Sequence, residues 1–233
     1  MAIHYFLWNG VDSRNKHIRV PNRIPVIRPE ERVKRITIPG RSGELTETEG
    51  TDIYESYIQT IPITIEGAAN IQAAEAWLRG AGKVTFDSQS GLEQDARVYG
   101  SFELSKHSRN RDKWHGNIQF YCNPIKRDRT ESVVTVTTSG TGLNNPGDMV
   151  AYPLIKITGS GLVTVGAGGN ILTIPECQSG WIIDSENEWI LSGTTPQEKA
   201  CTGAFPILKT GANTVTFTGN VTKLEITPRF RYL

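Results

Sequence analysis

The residues able to do chemistry in this 233-residue chain are few and scattered. Its four histidines, His4, His17, His107 and His115, form none of the HxH, HExxH or HxxxH spacings that put two imidazoles on one metal or a base beside a nucleophile. Cys122, Cys177 and Cys201 lie 55 and 24 residues apart, odd in number and without a CxxC. That pattern argues against a zinc site or a disulfide framework and fits thiols filling apolar positions in a reducing compartment. Gly40-Arg41-Ser42-Gly43 approaches a nucleophile elbow, but its spacing is wrong. Gly166-Ala167-Gly168-Gly169 opens like a dinucleotide loop, yet Ile171 stands where the third glycine is required and no helical pattern follows. No Walker A motif is present, and no two carboxylates are singled out as an acid–base pair. The expectation is a protein that is not an enzyme, with no catalytic, metal or cofactor-binding set.

Three features point to contact rather than catalysis. Eight basic residues fall between Arg14 and Arg35, opposed there only by Glu30 and Glu31, while residues 44–55 hold five acids (Glu44, Glu47, Glu49, Asp52 and Glu55) and no base. Two readings are open: faces or strands that neutralise one another within the monomer, or complementary edges on neighbouring copies in a closed ring. Pro21, Pro25 and Pro29 forbid a basic helix, and no aromatics are interleaved, which disfavours nucleic-acid binding. Gly40, Arg41, Ser42, Gly43 and Glu44 form a candidate turn with positive φ and a charged tip, either an ordinary β-turn or a contact with a neighbouring subunit. Trp181 and Trp189 flank Ile182–Glu188 in a hairpin-like segment. They are read either as core or interface side chains or as a platform for a sugar or partner. The charged stretch Lys106–Lys113 reads as an exposed loop tip.

The elements that position these residues are mostly strands. Lys and Arg total 25 against 24 Asp and Glu, 37% of residues are hydrophobic and mean hydropathy is −0.33, the profile of an ordered globular chain rather than a polybasic binder. No apolar run approaches the 18 residues of a spanning helix, so no membrane partner is expected, and the start MAIHYFLWNG reads as a first strand rather than a signal peptide. Residues 1–130 carry 19 bases and 16 acids, residues 131–233 only 6 and 8, with Gly, Thr and Val taking over. The step predicts two domains, 1–130 and 131–233. In the first, one helix is expected at about 70–80, capped by Asn70, with Ile71, Ala74, Trp77 and Leu78 on one face and Gly80 ending it. Period-two alternation marks Ile36/Ile38, Ile61/Ile63/Ile65 and Ile118/Phe120 as strands. In the second, Val134/Val136, Ile155/Ile157, Val163/Val165, Leu172/Ile174, Val215/Phe217 and Leu224/Ile226 repeat it at the spacing of an antiparallel sandwich or jelly roll. Thr138–Asp148 reads as a turn-rich loop. The fold class expected is mainly β: a barrel- or sandwich-like first domain with one short helix, then a β-sandwich.

Several segments resemble one family. Phe6-Leu7-Trp8-Asn9-Gly10-Val11-Asp12-Ser13 and Ile36–Leu45, which contains Pro39-Gly40-Arg41-Ser42-Gly43, are similar to the N-terminal part of distal tail (Dit) proteins of siphophages that infect Gram-positive bacteria. Ala76–Gly82 with Lys83-Val84-Thr85-Phe86-Asp87, and Phe120-Tyr121-Cys122-Asn123-Pro124, resemble that family's helix, following strand and closing strand. Pro153–Gly161, Ile183-Asp184-Ser185-Glu186, Gly203–Leu208, Gly211–Val215 and Ile226–Leu233 resemble its galectin-like domain. The similarity runs in order over nearly the whole chain. It implies a structural virion protein at the tail tip: a homohexameric ring closed by the N-terminal domains, with galectin-like domains carrying receptor-binding or baseplate proteins. The tail tube protein would lie above and a tail-associated (Tal) protein below, and genome DNA would pass through the channel without specific binding. Assembly would take place in the bacterial host cytoplasm. The alternative class is a carbohydrate-binding adhesin module that recognises a host cell-surface glycan.

Overall fold

A computed structural model describes residues 4–48, 50–101, 103–108, 111–197 and 201–233, without the side chains of 107, 108 and 111. Glu49 of the acidic block, Arg109 and Asn110 of the charged stretch, and the side chain of His107 therefore lie outside the described residues. The chain divides into two compact units, residues 1–126 with Leu233, and Arg127–Tyr232. Both are built from antiparallel strands, and the described residues hold one α-helix.

Unit 1 contains β1 (Phe6–Trp8), β2 (Val11–Asp12), β3 (Ile18–Arg19), β4 (Val33–Thr37), β5 (Glu44–Thr48), β6 (Tyr57–Glu66), α1 (Ala69–Trp77), β7 (Ala81–Phe86), β8 (Leu92–Tyr99), β9 (Leu104–Ser108) and all but the last two residues of β10 (Arg111–Asp128). Its main sheet runs β2-β1-β7-β8-β10-β6-β3, with β9 also on β10. The β6–β10 ladder holds one register from Lys113↔Glu66 to Cys122↔Tyr57. Every second residue, Ile61, Ile63, Ile65, Ile118, Phe120 and Cys122, is thereby buried on one face, as their period-two spacing requires. Phe120 is the centre of this core. Its ring lies 5.4 Å from Phe6, 5.3 Å from Trp8 and 6.2 Å from Phe86, in edge-on and tilted geometries that aromatic quadrupoles favour.

The helix covers that core with the face expected of it: Ala74 and Leu78 are buried, Ile71 and Trp77 pack beside them, and Trp77 stacks on Phe6. Its cap differs from the expectation. Asn70 does not cap; it sits inside the first turn, and its amide donates to the Glu66 carbonyl at 2.6 Å. The Ala68 N–H instead donates to the Asp112 carboxylate of β10 at 2.8 Å, and Asp112 also accepts the Trp114 indole N–H. These hydrogen bonds, that of Ala68 first, hold the Asp112 carboxyl below its usual range.

Unit 2 contains β11 (Val134–Val136), β12 (Thr141–Asn145), β13 (Leu154–Ala167), β14 (Asn170–Cys177), β15 (Trp181–Asp184), β16 (Trp189–Ser192), β17 (Thr195–Pro196), β18 (Thr202–Gly203) and β19 (Gly211–Thr227). Its sheet order is β11-β19-β13-β15-β16-β17, with β12 on β19, and β18 on β14, which pairs β13. The long strands β13 and β19 break register at Thr158/Gly159 and Ser160/Thr164. Such bulges bend and twist a strand, so the first half of β13 pairs with β15 and the second with β14, and the sheet curls over its own core. Gly168 and Gly169, at φ 63 and 94, make the two-residue turn between β13 and β14. The stretch Thr138–Asp148 is a correction, because Thr141–Asn145 is a strand on β19. Its buried Asn145 donates to the carbonyls of Met149 and Leu208, which local composition did not reveal.

One charged network ties unit 2 together. The Arg229 guanidinium donates to Asp184 at 2.7 Å and to Glu186 at 3.4 Å, and Arg127 pairs with Glu186. Asp184 also accepts from the Glu186 and Asn187 backbone N–H groups and the Asn187 amide. Burial opposes ionisation of Asp184, but Arg229 and Asn187 together outweigh it and hold the carboxyl below its usual value. A carboxyl depressed on folding contributes stability above its unfolded pKa of about 4 and loses that contribution as acid protonates it. Asp184→Asn is expected to cost about 1–2 kcal/mol at pH 7, less than the loss of a fully buried partner because Arg229 is partly exposed and keeps Glu186. The cost should shrink as pH falls below about 4. Urea unfolding of both proteins at pH 7 and pH 3 checks it; an equal loss at both would rule out the ionic origin. Asp112→Ala is expected to lower the urea midpoint of unit 1 without changing its strand content, as read by circular dichroism.

Candidate assembly interface

Sequence placed the best-defined contact candidate at Gly40–Glu44, and the structure puts these residues at the end of an uncovered ribbon. Among the described residues β4 and β5 pair only with each other, from Val33↔Thr48 to Thr37↔Glu44, outside the main sheet. The ribbon is continued at its base by Arg32 N–H to Ile53 O, Glu55 N–H to Glu30 O and a bridge between Glu31 and Tyr54. Gly40 and Gly43 lie at φ 80 and 84, and Arg41, Ser42 and Glu44 are exposed around them. Arg41 makes no ion pair among the described residues.

Strand alternation divides the ribbon into two faces. Lys34 opposite Glu47, Ile36 opposite Leu45, and Ile38 share one; Val33, Arg35, Thr37, Thr46 and Thr48 share the other. Leu45 is 42% and Ile38 38% exposed, so the Ile36/Ile38 alternation marks a strand without a core beneath it. The two charge blocks meet here. The basic strand is β4 and the acidic one β5, so Lys34 faces Glu47 in register, and Arg32 donates to Glu55 at 2.8 Å. Arg14 pairs with Asp12 and Arg19 with Glu66. Neutralisation within the monomer thus accounts for part of the pattern, and Arg23, Arg28, Arg35 and the Arg41 tip remain exposed without an ion pair among the described residues.

The other sequence candidates separate. Trp181 is 6% exposed and belongs to the core of unit 2, whereas Trp189 is 49% exposed. In the β15–β16 register Trp181 pairs with Ser192 and Asp184 with Trp189, so the two indoles point to opposite faces. A joint platform is excluded, because Trp181 offers no open ring face. The histidines are engaged locally: His4 with Asp87 at 2.5 Å, His115 with Thr64 at 3.0 Å, and His17 in a left-handed turn at φ 58. Burial pushes the Tyr57 hydroxyl and the Cys122 thiol up to about 12, and Cys177 up to about 11. Among the described residues no three His, Cys, Asp or Glu come together as a metal site.

Sequence reasoning missed one surface. Tyr99 of β8, Tyr121 of β10 and Ile58 of β6 form an exposed apolar row across neighbouring strands, with the two tyrosine rings 6.0 Å apart. The signal was available only in part: Tyr121 has the outward parity between buried Phe120 and Cys122.

Neither a protein-family model nor a curated protein matches the sequence. Among solved structures, the Dit protein (gp 19.1) of phage SPP1 superposes over 100% of both chains with a TM-score of 0.76 at 17% identity. The chain has the Dit fold. A structure of the phage p2 baseplate in its activated conformation with Sr matches 97% of both chains, at a TM-score of 0.50 and 9% identity. The Dit-like segments quoted from the sequence thus lie in a chain with the Dit architecture throughout, mainly β with one helix.

The ribbon turn can be tested directly. A Cβ at Gly43 meets nothing within 4 Å, so Gly43→Val is disfavoured by backbone conformation alone, by about 1–2 kcal/mol. Amide exchange in Val33–Thr37 and Glu44–Thr48 is expected to rise while the thermal midpoint of the protein stays unchanged. A lowered midpoint would mean that the ribbon supports the core.

Proposed function

We propose that the chain is a distal tail hub protein, a structural component of a phage tail tip that joins the tail tube to the host-adsorption apparatus. The observation that carries this reading is the end-to-end match to SPP1 Dit, a protein described as a paradigm of hub adsorption apparatus in Gram-positive-infecting phages. The match to a p2 baseplate structure supports the same setting.

In this reading six copies close a homohexameric ring through unit 1, and the β4–β5 ribbon reaches a neighbouring subunit through Gly40–Glu44. A two-stranded ribbon is marginal in water by itself, so an exposed one with Ile38 and Leu45 uncovered gains most from a partner. Each copy would supply one ribbon and receive one, the heterologous contact from which closed rings are made. Unit 2 would be the galectin-like adaptor for receptor-binding or baseplate proteins. The tail tube protein and a tail-associated (Tal) protein would flank the ring, and genome DNA would pass through it. The adhesin alternative built on Trp181 and Trp189 loses its platform with Trp181 in the core.

Light scattering on the purified protein tests the reading. The expected mass is about 154 kDa, six times the 25.7 kDa chain, with ring-shaped particles in negative stain. Arg41→Glu is expected to yield folded monomers, because it replaces the unpaired charge at the ribbon tip with its opposite. A mutant that still forms the hexamer would remove the ribbon tip from the interface.

A further inference from the structure

We infer that unit 1 carries a binding site for a neutral saccharide, in a groove beside Tyr99 and Tyr121. The groove has a volume of about 440 Å³, within the range of small-molecule sites. Ser101, Glu103, Ser105, His115, Asn117 and Gln119 supply its polar wall. Gly116 forms part of the lining, where a Cβ would come 2.2 Å from the Glu103 carbonyl oxygen; the absent side chain lets the chain at 103–104 pass close over β10.

The exposed tyrosines adjoin this wall. The rings lie outside the groove's own lining: Tyr121 follows Gln119 by two residues on the same face of β10, and Tyr99 precedes Ser101 by two, which places the pair next along the chain at the groove's end. Tyr99 and Tyr121 are 47% and 46% exposed and inclined at 35° to one another. Asn117, Glu103 and Ser101 make no side-chain hydrogen bond among the described residues, and Gln119 makes only a long one to Thr60.

The lining selects the ligand class. Among the described residues the lining holds one carboxylate and no Lys or Arg, which rejects a phosphate or other polyanion, and Leu104 is its one large apolar residue, which gives little to an apolar peptide. Amides, hydroxyls and a carboxylate match the alternating donors and acceptors of sugar hydroxyls, while a tyrosine face takes the C–H side of a pyranose ring. The site uses neither the Gly40–Glu44 ribbon tip nor Trp189.

Isothermal titration of the full chain with cellotetraose and with N-acetylchitotetraose tests the site. One of the two is expected to bind with millimolar affinity or better. Tyr121→Ala and Asn117→Ala should each weaken binding about tenfold, and Trp189→Ala should leave it unchanged. Circular dichroism confirms that the surface variants fold. Failure of both saccharides to bind, or loss on Trp189→Ala with none on Tyr121→Ala, overturns the proposal. So does a change in native mass on Tyr121→Ala with saccharide affinity intact, which would make the tyrosine face a contact between copies. Native mass reads the ring separately, so either idea can fail alone.

Discussion

One-sided burial along the β6–β10 ladder is the constraint on which unit 1 depends. A register that places Ile61 opposite Ile118 sends both into the core, and a slip by one residue would bring Thr60 and Gln119 there instead. The aromatic cluster fixes that choice, because Phe120 meets Phe6, Trp8 and Phe86 only in the observed register. The same alternation determines the other face. Once Phe120 and Cys122 point in, Tyr121 must point out, and Tyr99 on the adjoining strand meets it there. Core packing and the exposed aromatic pair are thus two sides of a single register.

The ribbon obeys the same pairing rules with no core to enforce them. Its strands are held by their backbone ladder, by opposite charges across it and by two glycines at the turn. Cross-strand pairs of this kind are worth about 0.2–1 kcal/mol each, enough to set register but not to hold an isolated ribbon rigid. Charge is therefore divided. Lys34 facing Glu47 and Arg32 facing Glu55 specify the hairpin internally, while Arg35 beside Thr46 and Arg41 at the tip carry exposed charge with no ion pair among the described residues.

What the sequence made legible is what local periodicity encodes. The alternating pairs from Ile61 to Ile226 all fall on strands, and Ile71, Ala74, Trp77 and Leu78 share a buried helix face, because burial on one side leaves a period in the sequence. The Dit-like fold was readable from short segments in order, though none of them defines it alone. What stayed hidden is long-range. The helix is capped by Asp112 from a strand 44 residues away, and Thr141–Asn145 is a strand because β19 pairs with it despite its glycine and asparagines. Trp181 and Trp189 looked like a pair, yet only the hairpin register reveals that they face opposite ways. The Tyr99–Tyr121 row joins residues from separate strands and has no signature along the chain.

The network around Asp184 gives unit 2 a further property. Arg127 at the beginning of the unit and Arg229 near its end both engage Glu186, in the turn between β15 and β16. Tyr232 adds a hydrogen bond to Asp128, so entry and exit of the chain are fastened at one corner. A module closed in this way confines its connections to that corner and leaves the remaining loops free to vary without disturbing the sheet. For a domain proposed to carry adsorption proteins, the arrangement is mechanically apt. The β13–β19 pairing spans the sheet between that corner and the opposite loops, and the corner itself is held by the part-buried Arg229–Asp184 pair.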